Sequence, residues 1–233
     1  MTRHAGSRSV SSGTAAARRV HGAPVVTTRF LLIRHASCVR MGEVLAGRRL
    51  EAPLSPVGQR EARALAAAMS QAHDVILQTS PRQRTLCTAA AIAAATGVSP
   101  TTEPALDEVD FGEWTGRTFL ELEADPRWRL WNESRATQRA PGGESMLEVQ
   151  TRILAHLARQ RARHHGRCIV LITHAELIRC ALLHYMGAPL DAWRGIEIGP
   201  ACVSTLDIDD GGAQVVTLNE RIPVSGIPIL PRT

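Results

Sequence analysis

The sequence predicts an α/β fold: a three-layer α/β/α sandwich with helices on both faces of a mostly parallel sheet and a short helical lid insert. Two observations predict it. Short apolar runs alternate with longer helical patterns, the order expected of βαβ units. Three of those runs end at Arg, His or Ser-Pro-Arg segments, and open α/β sheets bind ligands beyond the carboxyl ends of their strands.

The elements follow in order. Phe30–Ile33 is a buried strand ending at Arg34-His35. Ser55-Pro56 supplies an N-cap and a proline at the first helical position, opening a helix to about Ala72 with Leu65, Ala68 and Met69 on one side. Val75–Gln78 is a second strand, ending at Thr79-Ser80-Pro81, and an Ala-rich helix then runs to Thr96, where Gly97 stops it. The stretch from about Gly116 to Ala140, bulky with Trp128 and Trp131 and preceded by Trp114, reads as the lid rather than as a second domain. After Pro141-Gly-Gly, the capping box Ser145-Met-Leu-Glu148 starts a helix to about His164. Cys168–Thr173 is a third buried strand ending at His174, with a helix over Leu177–Met186. Cys202–Ile208 and Gln214–Leu218 close the fold around the turn Asp209-Asp210-Gly211-Gly212. The expected organisation is a disordered basic tail at 1–29, one domain at 30–222 and an irregular tail at 223–233.

Composition narrows the classes. The chain has 233 residues, 44% hydrophobic and 3% aromatic, so the core must be aliphatic. No apolar run approaches the ~20 residues of a membrane span. The net charge of +5 comes from residues 1–29, which hold Arg3, Arg8, Arg18, Arg19 and Arg29 and no acid. The rest is neutral and has no basic stripe, so no nucleic-acid partner is expected. All 27 basic residues are Arg, read here as coding bias. The tail lacks the apolar segment of a secretory signal. It could pass for an organellar transit segment, but a disordered extension is the expectation. Five cysteines without a C-x-x-C pair argue against a metal site and a disulfide framework, and point to a reducing cytoplasm.

The chemistry lies at the strand ends. Arg34-His35, Ser80-Pro-Arg82-Gln-Arg84 and Thr173-His174 place cationic and imidazole side chains where core residues would be expected. Singly, each has a bland reading: Arg82 and Arg84 as a solvated helix start, Glu108 as one acid beside Asp107 and Asp110.

Together they resemble the histidine phosphatase superfamily, which includes the cofactor-dependent phosphoglycerate mutases. Its Arg-His-Gly signature resembles Arg34-His35-Ala36, and its Leu-Ser-x-x-Gly segment matches Leu54-Ser55-Pro-Val-Gly58. Its Ser-Ser-Pro-x-x-Arg motif matches Thr79–Arg84, which makes Arg84 the counterpart rather than Arg82. Leu106-Asp-Glu108-Val-Asp-Phe111-Gly112-Glu-Trp114-Thr-Gly116, Pro141–Ser145 and Thr173-His174-Ala175 complete the set, in the family's order over about residues 30–220. The resemblance implies a nucleophile at His35, a general acid/base at Glu108, and a phosphate pocket of Arg34, Arg84 and a protonated His174. Gly47 and Ala175 are expected to line the substrate site. Arginine's planar fork suits phosphate oxygens, and its charge disfavours an imidazolium, keeping His35 neutral. No metal or cofactor is implied.

Departures from the pattern matter. Ala36 and Ala175 stand where the family has glycines, Ser37 and Cys38 follow, and Met41 replaces an asparagine phosphate donor, so that donor is expected to be missing or supplied elsewhere. The absence of Lys and the short spacing from Glu108 to Glu144 favour a phosphatase over a bisphosphate-holding mutase. The short lid and closing strands resemble the α-ribazole phosphatases and broad-specificity relatives of that family. The expected activity is metal-independent hydrolysis of a small phosphate monoester; the alternatives are mutase-type phosphoryl transfer or a non-catalytic phosphate-binding module. The oligomeric state is not readable.

Overall fold

The computed structural model describes Met1 and residues 26–49 and 51–221. Apart from Met1 and residues 26–29, the expected basic tail lies outside the described residues, as does the expected C-terminal tail. Six strands, β1 (Thr28–Arg34), β2 (Val75–Thr79), β3 (Thr101–Thr102), β4 (Cys168–Thr173), β5 (Val203–Asp209) and β6 (Gly212–Glu220), form one sheet in the order β3-β2-β4-β1-β5-β6. The first four pair in parallel, and β5 and β6 add on antiparallel beside β1.

The apolar runs are buried on both faces because alternate residues serve two cores. Phe30, Leu32, Ile169 and Leu171 point to one face, packed by α5 (Met146–Arg163) and α6 (Ala175–Tyr185). Leu31, Ile33, Val170 and Ile172 point to the other, packed by α1 (Pro56–Ala68) and α2 (Gln83–Thr96). The caps are as the sequence predicts. Ser55 accepts from Gly58 N, Ser145 and Glu148 form a capping box, and Gly97 closes α2 in the left-handed region at φ 72°.

Several boundaries differ. β1 begins at Thr28, so Thr28 and Arg29 belong to the sheet and not to a tail. Arg29 is tolerated there, 3% exposed, because it faces Asp207 across the β1–β5 register and donates to both carboxylate oxygens at 2.8 and 2.7 Å. α1 stops at Ala68 rather than near Ala72, and α6 begins at Ala175. The edge strand β3 is two exposed threonines and carries no apolar signal.

The lid insert is two short helices, α3 (Phe119–Glu123) and α4 (Pro126–Glu133). They are pinned rather than loose. Trp114 and Trp131 are buried and stack edge-on, Trp114 Nε1 donates to Asp125, and Trp193 Nε1 donates to the Asn132 carbonyl.

Candidate active site

The parallel register sets the site. Arg34 lies opposite Thr173, so His35 and His174 leave the sheet side by side, with ring centroids 5.3 Å apart. β2 delivers Ser80, whose amide donates to the Ile172 carbonyl at 3.0 Å, and the first turn of α2 brings Arg84 between the two rings. Arg84 is 2% exposed, His35 4% and His174 0%.

The hydrogen bonds fix the tautomers, because a guanidinium only donates. Arg84 Nε donates to His35 Nε2 at 3.2 Å, so His35 carries its proton on Nδ1 and donates it to the Ala36 carbonyl at 2.9 Å. Its lone pair is therefore on Nε2, directed at Arg84 Nε. Arg84 Nη2 donates to His174 Nδ1 at 3.1 Å, so His174 carries its proton on Nε2 and donates it to Ser80 Oγ at 2.8 Å. Burial, with Arg84 and Arg34 behind it, holds His35 well below the ordinary imidazole value of 6.5. His174 is held well below it by burial, then by Arg84 and His35. The sequence reading expects a protonated His174, whereas burial and Arg84 favour the neutral ring in the free pocket. In this structure it is a neutral relay between Arg84 and Ser80, because its buried ring already has Arg84 as a cationic donor.

At this site two guanidinium nitrogens, Arg84 Nη1 and Arg34 Nε, are buried without a partner among the described residues. Arg34 is otherwise tied to the Ile198 carbonyl at 2.6 Å and, weakly, to Met41 Sδ at 3.9 Å. Met41 thus touches Arg34 rather than supplying the donor its position suggested. The N-terminus of α6 opens at the same point, with His174 as an N-cap that makes no side-chain cap bond and Ala175 as the first helical residue. Gly47 presents its carbonyl to Arg84 Nη2 at 3.3 Å.

Glu108 sits 3.5 Å from Arg84 Nη2 and 3.4 Å from His174 Nδ1 through Oε2, while Oε1 accepts from the Val109 amide at 3.0 Å. Burial pushes this carboxyl above its ordinary value of 4.5, against the pull of Arg84. The structure thus brings His35, Glu108, Arg34, Arg84 and His174 together, with Gly47 and Ala175 at the rim.

Sequence reasoning missed the supports. Asp107 is 8% exposed and accepts from Arg82 Nε and Nη2, each at 2.8 Å, and from the Glu108 amide at 2.8 Å. Arg82, read from sequence as a solvated face, is thus the fork that holds the loop carrying Glu108. On the loop's other side the Glu108 carbonyl accepts from Arg48 Nε at 2.6 Å and Arg152 Nη2 at 3.0 Å, and both arginines also bind Glu144. Burial alone would raise the Glu144 carboxyl; Arg152, the Asp110 amide and Arg48 outweigh it and hold it low. The glycines of the two motifs let these loops touch. A Cβ on Gly143 would stand 2.1 Å from the Asp110 carbonyl, and one on Gly112 2.1 Å from that of Pro141.

Two recesses open onto Arg34, His35 and Glu108. One, of about 250 Å³, lies under residues 38–47. The other, of about 630 Å³, runs along the pinned insert and is walled by Phe111, Phe119, Trp128 and Trp193.

Known proteins share this architecture. The chain is 28% identical to phosphoserine phosphatase 1 of Hydrogenobacter thermophilus over 193 residues, 82% of this chain and 92% of that one. The structure of a mycobacterial glucosyl-3-phosphoglycerate phosphatase superposes with a TM-score of 0.76 at 26% identity, covering 84% of this chain and all (100%) of that one. The α-ribazole phosphatase of Shigella flexneri, at 21% identity, shares the fold with a TM-score of 0.73 over 82% of this chain and 96% of that one. The sequence profile of the histidine phosphatase superfamily (branch 1) matches residues 30–221, and the chain belongs to that family.

Proposed function

We propose that this phosphatase hydrolyses small phosphate monoesters in two steps through a phosphohistidine on His35, with Glu108 as general acid and then general base. The observation that carries the reading is the orientation of His35. Its Nδ1 proton is committed to the Ala36 carbonyl, which leaves the lone pair on Nε2, where Arg84 Nε donates at 3.2 Å, while Arg84 Nη1 and Arg34 Nε have no partner among the described residues. A phosphoryl group seated on those donors would lie against a neutral imidazole, a competent nucleophile.

In the first step Nε2 attacks phosphorus and the ester P–O bond breaks, while Glu108 gives its proton to the departing oxygen. The raised pKa of the buried carboxyl suits it to hold that proton. In the second step Glu108 takes a proton from water as the water oxygen attacks phosphorus, the N–P bond breaks, and inorganic phosphate leaves with His35 neutral again. The planar forks of Arg34 and Arg84 meet the charge on the equatorial oxygens throughout. The bound dianion also favours protonation of His174, which then adds to the same charge. The similarity to phosphoserine and glucosyl-3-phosphoglycerate phosphatases supports a small phosphate ester as substrate.

Rapid alkaline quenching during turnover of a ³²P-labelled ester tests this. An acid-labile, alkali-stable label should map to the His35 peptide, and His35→Ala should neither label nor turn over. A label on His174, or full activity of His35→Ala, refutes the assignment.

A further inference from the structure

The 630 Å³ cleft carries charge that hydrolysis at His35 does not use. Arg135 is buried in its wall, its guanidinium carbon 3.5 Å from the ring centroid of Trp193 and 4.2 Å from that of Trp131. Its Nη1 donates to Glu176 Oε2 at 2.6 Å and its Nη2 to Asn132 Oδ1 at 2.8 Å, while its Nε is buried without a partner among the described residues. The other oxygen of Glu176 accepts from Arg179 Nη1 at 2.6 Å, and Arg179 Nε donates to the Ile196 carbonyl at 2.9 Å. Two guanidinium groups therefore share one carboxylate, which leaves a net positive charge on the wall.

This group is registered to the active site. Glu176 and Arg179 stand on the first turns of α6, directly after His174, and both lie near enough to act on the Arg34 charge. Arg179 and Ala175 are an i, i+4 pair that lines the same cleft. Arg179 Nη2 makes no hydrogen bond among the described residues.

We propose that Arg135, Glu176 and Arg179 form the specificity site of the enzyme, taking a carboxylate in the organic part of the phosphate ester held by Arg34 and Arg84. The proposal rests on the phosphatase reading and adds the substrate class to it. One net positive charge with Arg179 Nη2 free to donate matches a carboxylate, whereas a second phosphate would bring two negative charges to it. The tryptophan stack and the Glu176 bridge hold the forks in place before substrate arrives, so little freedom is lost on binding.

A matched pair of substrates tests it: 3-phosphoglycerate and glycerol phosphate, which differ in carboxylate against hydroxymethyl on one three-carbon skeleton, with p-nitrophenyl phosphate alongside. Wild-type kcat/KM should favour the acid by on the order of 10- to 100-fold, the worth of one charge-assisted hydrogen bond. Arg179→Gln should bring the ratio to within about threefold of unity, and Arg179→Lys should keep part of it, since it retains charge without the fork. Equal wild-type rates on the pair, hydrolysis of p-nitrophenyl phosphate alone, or an undiminished ratio in Arg179→Gln would each overturn the proposal while leaving the phosphatase reading in place. Phosphate release from none of the three would overturn the phosphatase reading itself.

Discussion

Replacing Glu108 by Gln separates acid catalysis from everything else this side chain does. The amide keeps the shape, and its oxygen can still accept from the Val109 amide as Oε1 does at 3.0 Å. What it loses is the ionisable oxygen, Oε2, which lies 3.5 Å from Arg84 Nη2 and 3.4 Å from His174 Nδ1. General acids contribute about 10²–10⁴-fold, or roughly 3–5 kcal/mol, when the leaving group needs a proton. An alkoxide needs it and a nitrophenolate barely does. Glu108→Gln should therefore slow phosphorylation by an alkyl phosphate by about 10²-fold or more, and phosphorylation by p-nitrophenyl phosphate by less than about tenfold. Steady-state rates would blur the difference, because in the proposed reaction dephosphorylation also uses Glu108, as the base. The assay is the pre-steady-state burst: nitrophenol release at stoichiometric enzyme should persist in the variant while turnover stops. If phosphorylation by both substrates falls equally, Glu108 acts on pocket structure rather than on the leaving group, and the proton donor is another acid.

Two further outcomes follow from side chains that the structure ties down. Arg82→Ala removes the fork on Asp107 and frees the loop carrying Glu108, so kcat should fall by on the order of 10-fold, with Arg82→Lys recovering part of it; a kcat within twofold of wild type would show that Arg48 and Arg152 hold the loop unaided. Buried neutral histidines should make the protein acid-labile: burial pushes His156 down to about 4, so between pH 6.5 and 4 the unfolded chain binds a proton that the folded chain refuses. That stability is complete above pH 6.5 and is lost as pH falls, by roughly 3 kcal/mol for His156 alone, with His35 and His174 adding in the same direction. Urea midpoints should drop steadily from pH 7 to 4.5, less steeply in His156→Gln, and a flat profile would contradict the neutral-histidine picture.

What the sequence disclosed and what it hid divide along one physical line. A parallel strand puts its last residue at a predictable end of the sheet, so Arg34, His35 and His174 could be placed together from apolar runs alone. Arg84 and Glu108 needed the ordered motifs, since a helix start and an acidic loop have no periodicity pointing inward. The supports stayed invisible because their contacts join segments far apart in sequence. Arg48 and Arg152 reach the Glu108 carbonyl from 60 and 44 residues away, and an isolated Arg in a loop or on a helix face carries no sign of its partner. Arg29 was lost to the tail for the same reason, since its burial depends on Asp207, 178 residues on. The sequence reading expects a protonated His174; burial and the Arg84 donor at Nδ1 favour the neutral ring in the free pocket.

The pocket's two working shifts have a common origin. Burial penalises whichever form of a group is charged, so it lowers an imidazole and raises a carboxyl. His35 is buried and the Glu108 side chain is 14% exposed, and loss of water is the largest influence on each. Desolvation thus favours the neutral imidazole and the protonated carboxyl together, the two states that the first proposed step consumes. Arg34 and Arg84 then separate the pair: their charge reinforces the shift at His35 and opposes it at Glu108, keeping the carboxyl within reach of ionisation for the second step. Two buried guanidinium groups with unmatched N–H donors would be a poor bargain in a resting core. In the proposed reaction a phosphoryl dianion would supply their missing partners, and the same desolvation that makes them costly in the free enzyme would strengthen their hold on the transferring group.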